Sequence, residues 1–296
     1  MNFNVANRTT LAGVAVALLV LLALAVTLIS SRGAATSTGD ESAGVGEARN
    51  SSLTVDLPPP ATDEIYGAPG ARGRPIVVID AGHGGRDPGA RSVSGQVAEK
   101  DLTLALAREL RDKLVERGRV RVALTRDGDV YLTLDDRAAI AARLDAAMFV
   151  SLHIDSAPNP LARGASVYSL SDVASDAEAA RFAALENKGS SMSEGNGSTE
   201  SILSELAMQS EMSASADLAE RLVKKSAGRF ELRPEPHRFA AFHVLRRAGA
   251  PAVLFEAGYL SNVDDELLLA DPKHRSDMVL ALAQAIEADV AVRTRH

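Results

Sequence analysis

The chain contains no cysteine and no tryptophan, and only 4% of its residues are aromatic. The absence of cysteine excludes a disulfide scaffold, a cysteine–zinc centre and a thiol nucleophile. Few aromatic side chains and a formal net charge of −7 argue against a nucleic-acid partner, because such partners require stacking rings and a concentrated basic surface. Any metal site must therefore use carboxylates and some of the 6 histidines.

Charge is also missing from residues 11–29, an apolar run without an ionisable side chain. A helix needs about 20 apolar residues to cross a bilayer core of about 30 Å. Residues 1–30 are therefore predicted to be either an uncleaved transmembrane anchor or a cleaved signal peptide. Both alternatives place the rest of the chain in the cell envelope, on the periplasmic side of the cytoplasmic membrane, either membrane-anchored or secreted.

Residues 31–74 are rich in proline, glycine and serine and show no sustained hydrophobic periodicity. Such a segment buries too little apolar surface to offset the entropy lost on ordering. It is predicted to be a disordered linker that spans the distance from the membrane to a target layer.

From residue 75 onward, short β-branched runs alternate with amphipathic patterns. Pro75–Asp80 predicts a strand buried on both faces, and leucines at every fourth position predict a helix over Lys100–Arg117. Further strands are predicted at 120–125, 147–154, 164–170 and 251–255, and further helices at 135–144, 174–186, 202–227 and 273–292. The pattern predicts one α/β domain over residues 75–292, with a mostly parallel, twisted central sheet flanked by helices.

Polar side chains follow three of the predicted strands. His83 follows the first strand, His153 follows the run MFVSL, and Glu256 follows AVLF. Because the carboxyl ends of parallel strands meet at one edge of a sheet, we expect these side chains to converge, with Glu99 at the start of the next helix facing the same edge. Two histidines and a glutamate form the ligand set of a catalytic zinc centre, and a second carboxylate can take a proton from the attacking water.

Taken singly, each of these four residues has an ordinary structural explanation: a packed histidine, a helix N-terminal acid or a buried ion pair. Their coincidence at one edge of one sheet favours a site. Among the remaining histidines, His237 directly follows the segment Pro234-Glu235-Pro236 and is predicted to lie on a peripheral loop. His243 is interpreted as a packing residue.

Four segments in colinear order resemble the zinc-dependent N-acetylmuramoyl-L-alanine amidases, the family of bacterial cell-separation amidases. They are VVIDAGHGGRDPGA (77–90), EKDLTLALA (99–107), FVSLHIDSAPN (149–159) and VLFEAGYLSN (253–262). The resemblance implies hydrolysis of the amide between the lactyl group of N-acetylmuramic acid and the L-alanine of the stem peptide in peptidoglycan. It also implies that His83, Glu99 and His153 hold Zn²⁺ and that Glu256 is the catalytic base.

Residues 186–213 resemble a regulatory insert of the same family. In the members that activator proteins control, a helix inserted after the third ligand covers the zinc, and its glutamate caps the metal. Glu186 matches the start of such an insert, although the Gly/Ser-rich stretch 188–199 makes the insert short. The resemblance therefore implies that Glu186 is an autoinhibitory metal ligand, displaced by an activator protein with a peptidase-like fold. A mobile surface loop is the alternative.

Two other functions fit the same residues. Another zinc peptidase, similar to a carboxypeptidase, uses comparable ligands but needs a cationic group for the substrate carboxylate, and no arginine is marked for that role in the sequence. A non-catalytic peptidoglycan-binding protein would also keep the fold. The presence of all four candidate residues favours catalysis over that second alternative.

Overall fold

The computed structural model describes residues 64–188 and 201–294. The predicted segment 1–30, residues 31–63 of the predicted linker and residues 189–200 of the predicted insert lie outside these ranges. Across the two described ranges, no helix combines the length and the apolar character needed to cross a bilayer. The membrane segment at residues 1–30 therefore stays a prediction.

The described residues form one α/β fold of strands and helices. The strands are β1 (Ile65–Tyr66), β2 (Ile76–Ala81), β3 (Arg121–Leu124), β4 (Met148–Asp155), β5 (Ala165–Leu170), β6 (Leu232–Ala240) and β7 (Ala252–Tyr259). The helices are α1 (Glu99–Arg117), α2 (Leu134–Arg143), α3 (Ala177–Glu186), α4 (Ser201–Ser226), α5 (His243–Arg246), α6 (Val263–Ala270) and α7 (Pro272–Arg293).

All of the strands lie in one sheet in the order β1-β3-β2-β4-β7-β5-β6. The central strands β3, β2, β4 and β7 run parallel to one another, and β5 runs parallel to β6. β1 is antiparallel to β3, and β5 is antiparallel to β7. The predicted α/β class is therefore confirmed, and most of the strand pairs are parallel.

The sheet has a hydrophobic cluster on each face. On one face, apolar side chains of α1, α4 and α7 pack against alternate residues of the central strands. On the other face, α2, α3 and α5 pack against the intervening residues. Every residue of β2, β4 and β7 is buried, which explains why these strands read as continuous apolar runs.

Specific side chains fix where the helices begin and end. In α1, the stripe of leucines every fourth residue is buried, and Gly118 ends the helix in the left-handed conformation at φ 67°. At the start of α2, Thr133 and Asp136 form a reciprocal capping box. Asp176 caps α3 by accepting a hydrogen bond from the Ala179 amide.

Two expectations about the domain are wrong. The folded part begins before residue 75, because β1 pairs with β3 within the predicted linker and Ala71 is buried. His237 lies on β6 rather than on a loop, and its Nε2 lies 2.9 Å from Ser169 Oγ of β5. β6 is an edge strand, where Pro234 and Pro236 are tolerated because one side needs no ladder hydrogen bonds.

Candidate active site

His153 and Glu256 lie on neighbouring parallel strands, β4 and β7, and are register partners. Both residues lie within their strands rather than just beyond them, because strand pairing continues to Asp155 and Tyr259. Side chains alternate between the two faces of a strand, so His153 shares a face with Phe149, on the side covered by α2, α3 and α5.

His83 lies in the loop after β2 and has a left-handed backbone conformation at φ 59°. Residues other than glycine seldom adopt this conformation, and such strain clusters at functional sites. The preceding Gly82 allows the ring of His153 to approach, since a Cβ at this position would lie 2.5 Å from His153 Cε1. The ring centroids of His83 and His153 are 4.9 Å apart, with the ring planes at 76°.

Two buried arginines hold the backbone of this loop. Arg126 donates from Nε to the Ala81 carbonyl at 2.9 Å and from Nη2 to the Gly82 carbonyl at 2.8 Å. Arg137 donates to the carbonyls of Ala81 and His83, each at 2.6 Å. These bonds to successive carbonyls maintain the conformation that presents the His83 ring.

Asp80 on β2 is the counter-ion of this arrangement. It accepts hydrogen bonds from Arg137 Nη1, Thr125 Oγ1 and Ser151 Oγ, each at 2.7 Å. Burial alone would raise the pKa of Asp80, but the charge of Arg137 and these hydrogen bonds lower it below its usual value. Asp80 is therefore ionised and compensates the buried guanidinium.

Glu99, the first residue of α1, bridges the two histidines. Its Oε2 lies 3.0 Å from His83 Nε2, and its Oε1 lies 3.1 Å from His153 Nδ1. The amides of Ala90 and Ile154 donate to these oxygens at 2.8 and 2.9 Å. Burial alone would raise the pKa of Glu99, but the charge of His83 and the hydrogen bond with His153 lower it. The structure thus brings together the three residues predicted as metal ligands.

Glu186, at the end of α3, enters the same cluster. Its Oε2 lies 3.2 Å from His153 Nδ1 and 3.7 Å from His83 Nε2. The position of the helix end is fixed by Asn187, whose side chain donates to the Ala241 carbonyl and accepts from the His243 amide. A residue of the predicted insert therefore faces both histidines.

The cluster suits a divalent cation. His83, His153 and Glu186 each offer one ligand atom, and these atoms lie within 4.8 Å of one another. His83 Nε2 is buried, makes no hydrogen bond of good geometry with the described residues and lies 3.0 Å from Glu99 Oε2, so a cation held there would satisfy both atoms. Burial alone would lower the pKa of His83, but the charge of Glu99 and the hydrogen bond with Asp87 raise it to about 11. The surrounding carboxylates therefore stabilise positive charge, and nitrogen and oxygen donors are ligands that zinc accepts.

Glu256 is completely buried, and neither of its carboxylate oxygens has a hydrogen-bond partner among the described residues. Burial, and after it the charge of Asp155, raise the pKa of Glu256 well above its usual value. Burial also raises the pKa of Asp155 to about 7. A carboxylate with a raised pKa is a stronger base and retains an acquired proton, which suits a group that receives and then transfers a proton.

The pattern of the N-acetylmuramoyl-L-alanine amidase family matches residues 77–288, which is more than half of the chain. This chain belongs to that family. The matched residues include all four positions predicted as metal ligands or base. The predicted family is therefore confirmed.

Known relatives agree with this assignment. The amidase AmiA of Escherichia coli K12 is 34% identical over 220 residues, covering 72% of this chain and 75% of AmiA. The amidase AmiC of Neisseria meningitidis is 33% identical over 72% of this chain, and the chain spans about half (52%) of its length. The catalytic domain of the amidase CwlV from Bacillus (Paenibacillus) polymyxa superposes with a TM-score of 0.52 at 28% identity, covering 74% of this chain and 99% of that domain.

The side chains of His83, Glu99, His153 and Glu186 form the histidine–carboxylate cluster of this amidase. Two clefts of about 180 and 310 Å³ flank this cluster. His83, Asp87, Leu185, Glu186 and Lys188 line both clefts. Glu186 therefore occupies the boundary between the two spaces through which a substrate would approach the histidines.

Sequence reasoning missed residues that support the amidase site. Asp87 accepts from His83 Nδ1 at 2.9 Å and orients the ring, a common role for a carboxylate behind a ligand histidine. Its position four residues after His83 in the loop was the available signal. Arg126 and Arg137 could not be recognised in this way, because the residues of 80–83 that they hold lie 44 to 57 residues away in sequence.

Proposed function

We propose that this amidase hydrolyses the bond between N-acetylmuramic acid and L-alanine in peptidoglycan, with Zn²⁺ held by His83, Glu99 and His153. The observation that carries the proposal is the pairing of His153 with Glu256 in register, beside a carboxylate that reaches both histidines within 3.1 Å. This arrangement combines a metal ligand set with a separate buried base, as metal-assisted amide hydrolysis requires.

Each protein group has a defined task in this reaction. When bound, zinc lowers the pKa of water to about 7 and polarises the substrate carbonyl. Glu256 accepts the proton of the attacking water and transfers it to the departing alanine nitrogen. Asp87 holds the ring of His83, and the amides of Ala90 and Ile154 hold Glu99.

Glu186 is proposed to restrain this activity as an additional, inhibitory ligand. The supporting observations are its 3.2 Å distance from His153 Nδ1 and its place between the two clefts. A substrate carbonyl would have to displace this carboxylate. An activator protein that moves the end of α3 would remove it, which makes such a protein the proposed regulatory partner.

The proposed place of action is the cell envelope, in wall remodelling and daughter-cell separation. The apolar residues 11–29 support export, with the domain either anchored or secreted on the periplasmic side. The folded part then meets peptidoglycan directly. No nucleic-acid partner is proposed for this acidic chain.

Mass spectrometry of purified peptidoglycan digested by the full-length chain tests the activity. We expect free stem peptides that begin with L-alanine, lost with EDTA and restored by zinc. Cleavage within the stem peptide would instead indicate the carboxypeptidase-like function. Binding to peptidoglycan without any cleavage, also after substitution of Glu186, would indicate a non-catalytic protein.

A further inference from the structure

A third cleft, of about 620 Å³, contains none of the residues of the histidine–carboxylate cluster. Its walls come from the segment 157–163 after β4, from α3 and from the start of β6. The cleft is separate from the predicted metal ligands and from Glu256, so the residues that line it have no part in the reaction proposed above.

The cleft continues the approach to the active site. Asp155 and Ser156 line the smaller space beside Glu99, and the next residues, 157–163, line the larger cleft. In the same way, the last turn of α3 borders the active site, while Arg181 about one turn earlier and Glu178 about two turns earlier border the cleft. The same two segments therefore form both spaces.

Three arginines give the cleft a cationic character within an acidic chain: Arg163, Arg181 and Arg233. Arg163 pairs with Glu231 and Asp264, and Arg233 pairs with Glu178. Two carboxylates line the cleft against these three guanidinium groups. Counted over the lining residues alone, which exclude Asp264, one positive charge is in excess.

Arg181 supplies that excess charge. Its side chain is exposed, and it makes no ion pair or hydrogen bond with any residue in the described ranges. An arginine guanidinium binds a carboxylate through two parallel hydrogen bonds. Arg181 is therefore available to an anionic ligand, whereas the other two arginines are already engaged.

We propose that this cleft binds a free carboxylate of the stem peptide and that Arg181 is its principal contact. The proposal rests on the proposed amidase function and extends it to substrate selection. From Glu186 to Arg181, α3 rises about 7.5 Å, and to Glu178 about 12 Å. An extended peptide advances about 3.3–3.6 Å per residue, so the cleft lies two to four residues beyond the scissile amide. The expected ligand is an anionic peptide with a carboxylate in that interval.

Equilibrium binding tests the proposal directly. The probes are an N-acetylmuramoyl tripeptide with free carboxylates and the same molecule with every carboxylate amidated. Calorimetric titration uses the full-length chain with zinc and with Glu256→Gln, which slows hydrolysis of the probes during the measurement. We expect the free form to bind about tenfold more tightly, the effect of one charge-assisted hydrogen bond.

Substitutions at Arg181 test whether the difference in affinity between the two probes arises in the cleft. With Arg181→Ala added, we expect the two probes to bind with equal affinity, and with Arg181→Lys part of the difference to return. Arg72→Ala is the matched control, because Arg72 is also exposed and lies outside the cleft. It should leave the tenfold difference intact.

Equal binding of the two probes before any Arg181 substitution would overturn the proposal, and so would discrimination that survives Arg181→Ala. Failure of the proposed function is recognised separately, as the absence of L-alanine-terminated peptides in the digest. An active amidase without carboxylate discrimination would refute the cleft assignment alone.

Discussion

His153 and Glu256 face each other as register partners on two parallel strands, so the backbone of the sheet fixes the candidate base relative to a candidate metal ligand. Strands β4 and β7 are buried along their whole length, which leaves neither residue free to move independently. Glu99 and the loop of His83 are then held against this pair by hydrogen bonds. The sheet thus fixes one side of the site, and Glu186 at the end of α3 bounds the other side.

Glu256→Gln separates the base from the metal site. The amide has nearly the same shape but cannot accept the proton, so we expect turnover to fall by about 10²–10⁴-fold. Zinc content per chain should not change, because Glu256 is not among the predicted ligands. Turnover assays and metal analysis on the same preparation check this. Wild-type turnover in this variant would show that the role assigned to Glu256 is wrong.

Gly82→Ala tests the close packing of the loop against His153. The new Cβ would lie 2.5 Å from His153 Cε1, so the ring must shift. We expect zinc affinity to fall about 10–100-fold, as when a group that orients a ligand is lost. Competition with a chromogenic chelator measures this affinity.

Gly128→Ala is the control for this prediction. A Cβ at Gly128 meets nothing within 4 Å and needs no positive φ. It should therefore leave the affinity for zinc unchanged. Equal zinc affinities in the two alanine variants would contradict the packing argument.

Arg137→Ala tests the buried ion pair behind His83. The substitution leaves Asp80 buried and uncompensated, so we expect the free energy of unfolding to fall by about 3–5 kcal/mol. Denaturant titration measures the loss. Arg108→Ala breaks a partly exposed pair with Asp127 and should cost less than about 1 kcal/mol.

The double variant Arg137→Met with Asp80→Asn sharpens this result. Because it removes both charges, it should be more stable than the sum of the losses measured for Arg137→Met and Asp80→Asn singly predicts. Additive losses would show that the two side chains do not act as a pair.

Glu186→Gln tests the inhibitory contact. Removing the charge weakens the carboxylate as a ligand, and we expect basal turnover without an activator to rise about tenfold or more, the value of one charge-assisted contact. Glu116→Gln replaces an exposed glutamate far from the cluster and should leave turnover unchanged. If Glu186→Gln also leaves it unchanged, the inhibitory role is refuted.

The parts of the fold that could be predicted are those whose cause is local. β2, β4 and β7 are buried on both faces, so their sequences are apolar without interruption. β6 was not predicted, because its two prolines suggest a loop. A strand can contain them here only because β6 lies at the edge of the sheet. β1 is two residues long and depends on pairing with β3, which no local pattern reveals.

The site residues also fall into those that a local sequence pattern predicts and those that it does not. The four predicted site residues lie near the carboxyl ends of strands or at a helix start, where catalytic side chains of α/β folds are expected: His83, Glu99, His153 and Glu256. Arg137 supports the site through Asp80, which lies 57 residues away in sequence. No local pattern around either residue therefore indicates that they pair. Asp155 has a raised pKa because it is buried, and its charge in turn raises the pKa of Glu256. Burial and the contact with Glu256 arise only when the chain folds, so the sequence does not single out Asp155.

The most direct test of the account is a zinc titration of the EDTA-treated full-length chain, following the release of L-alanine-terminated peptides from peptidoglycan. We expect activity to be absent without metal, to rise with added zinc and to saturate at one equivalent per chain. His83→Ala and His153→Ala should remain inactive and retain no zinc. Full turnover in EDTA, or zinc-dependent turnover that survives His83→Ala, would contradict the proposed zinc site.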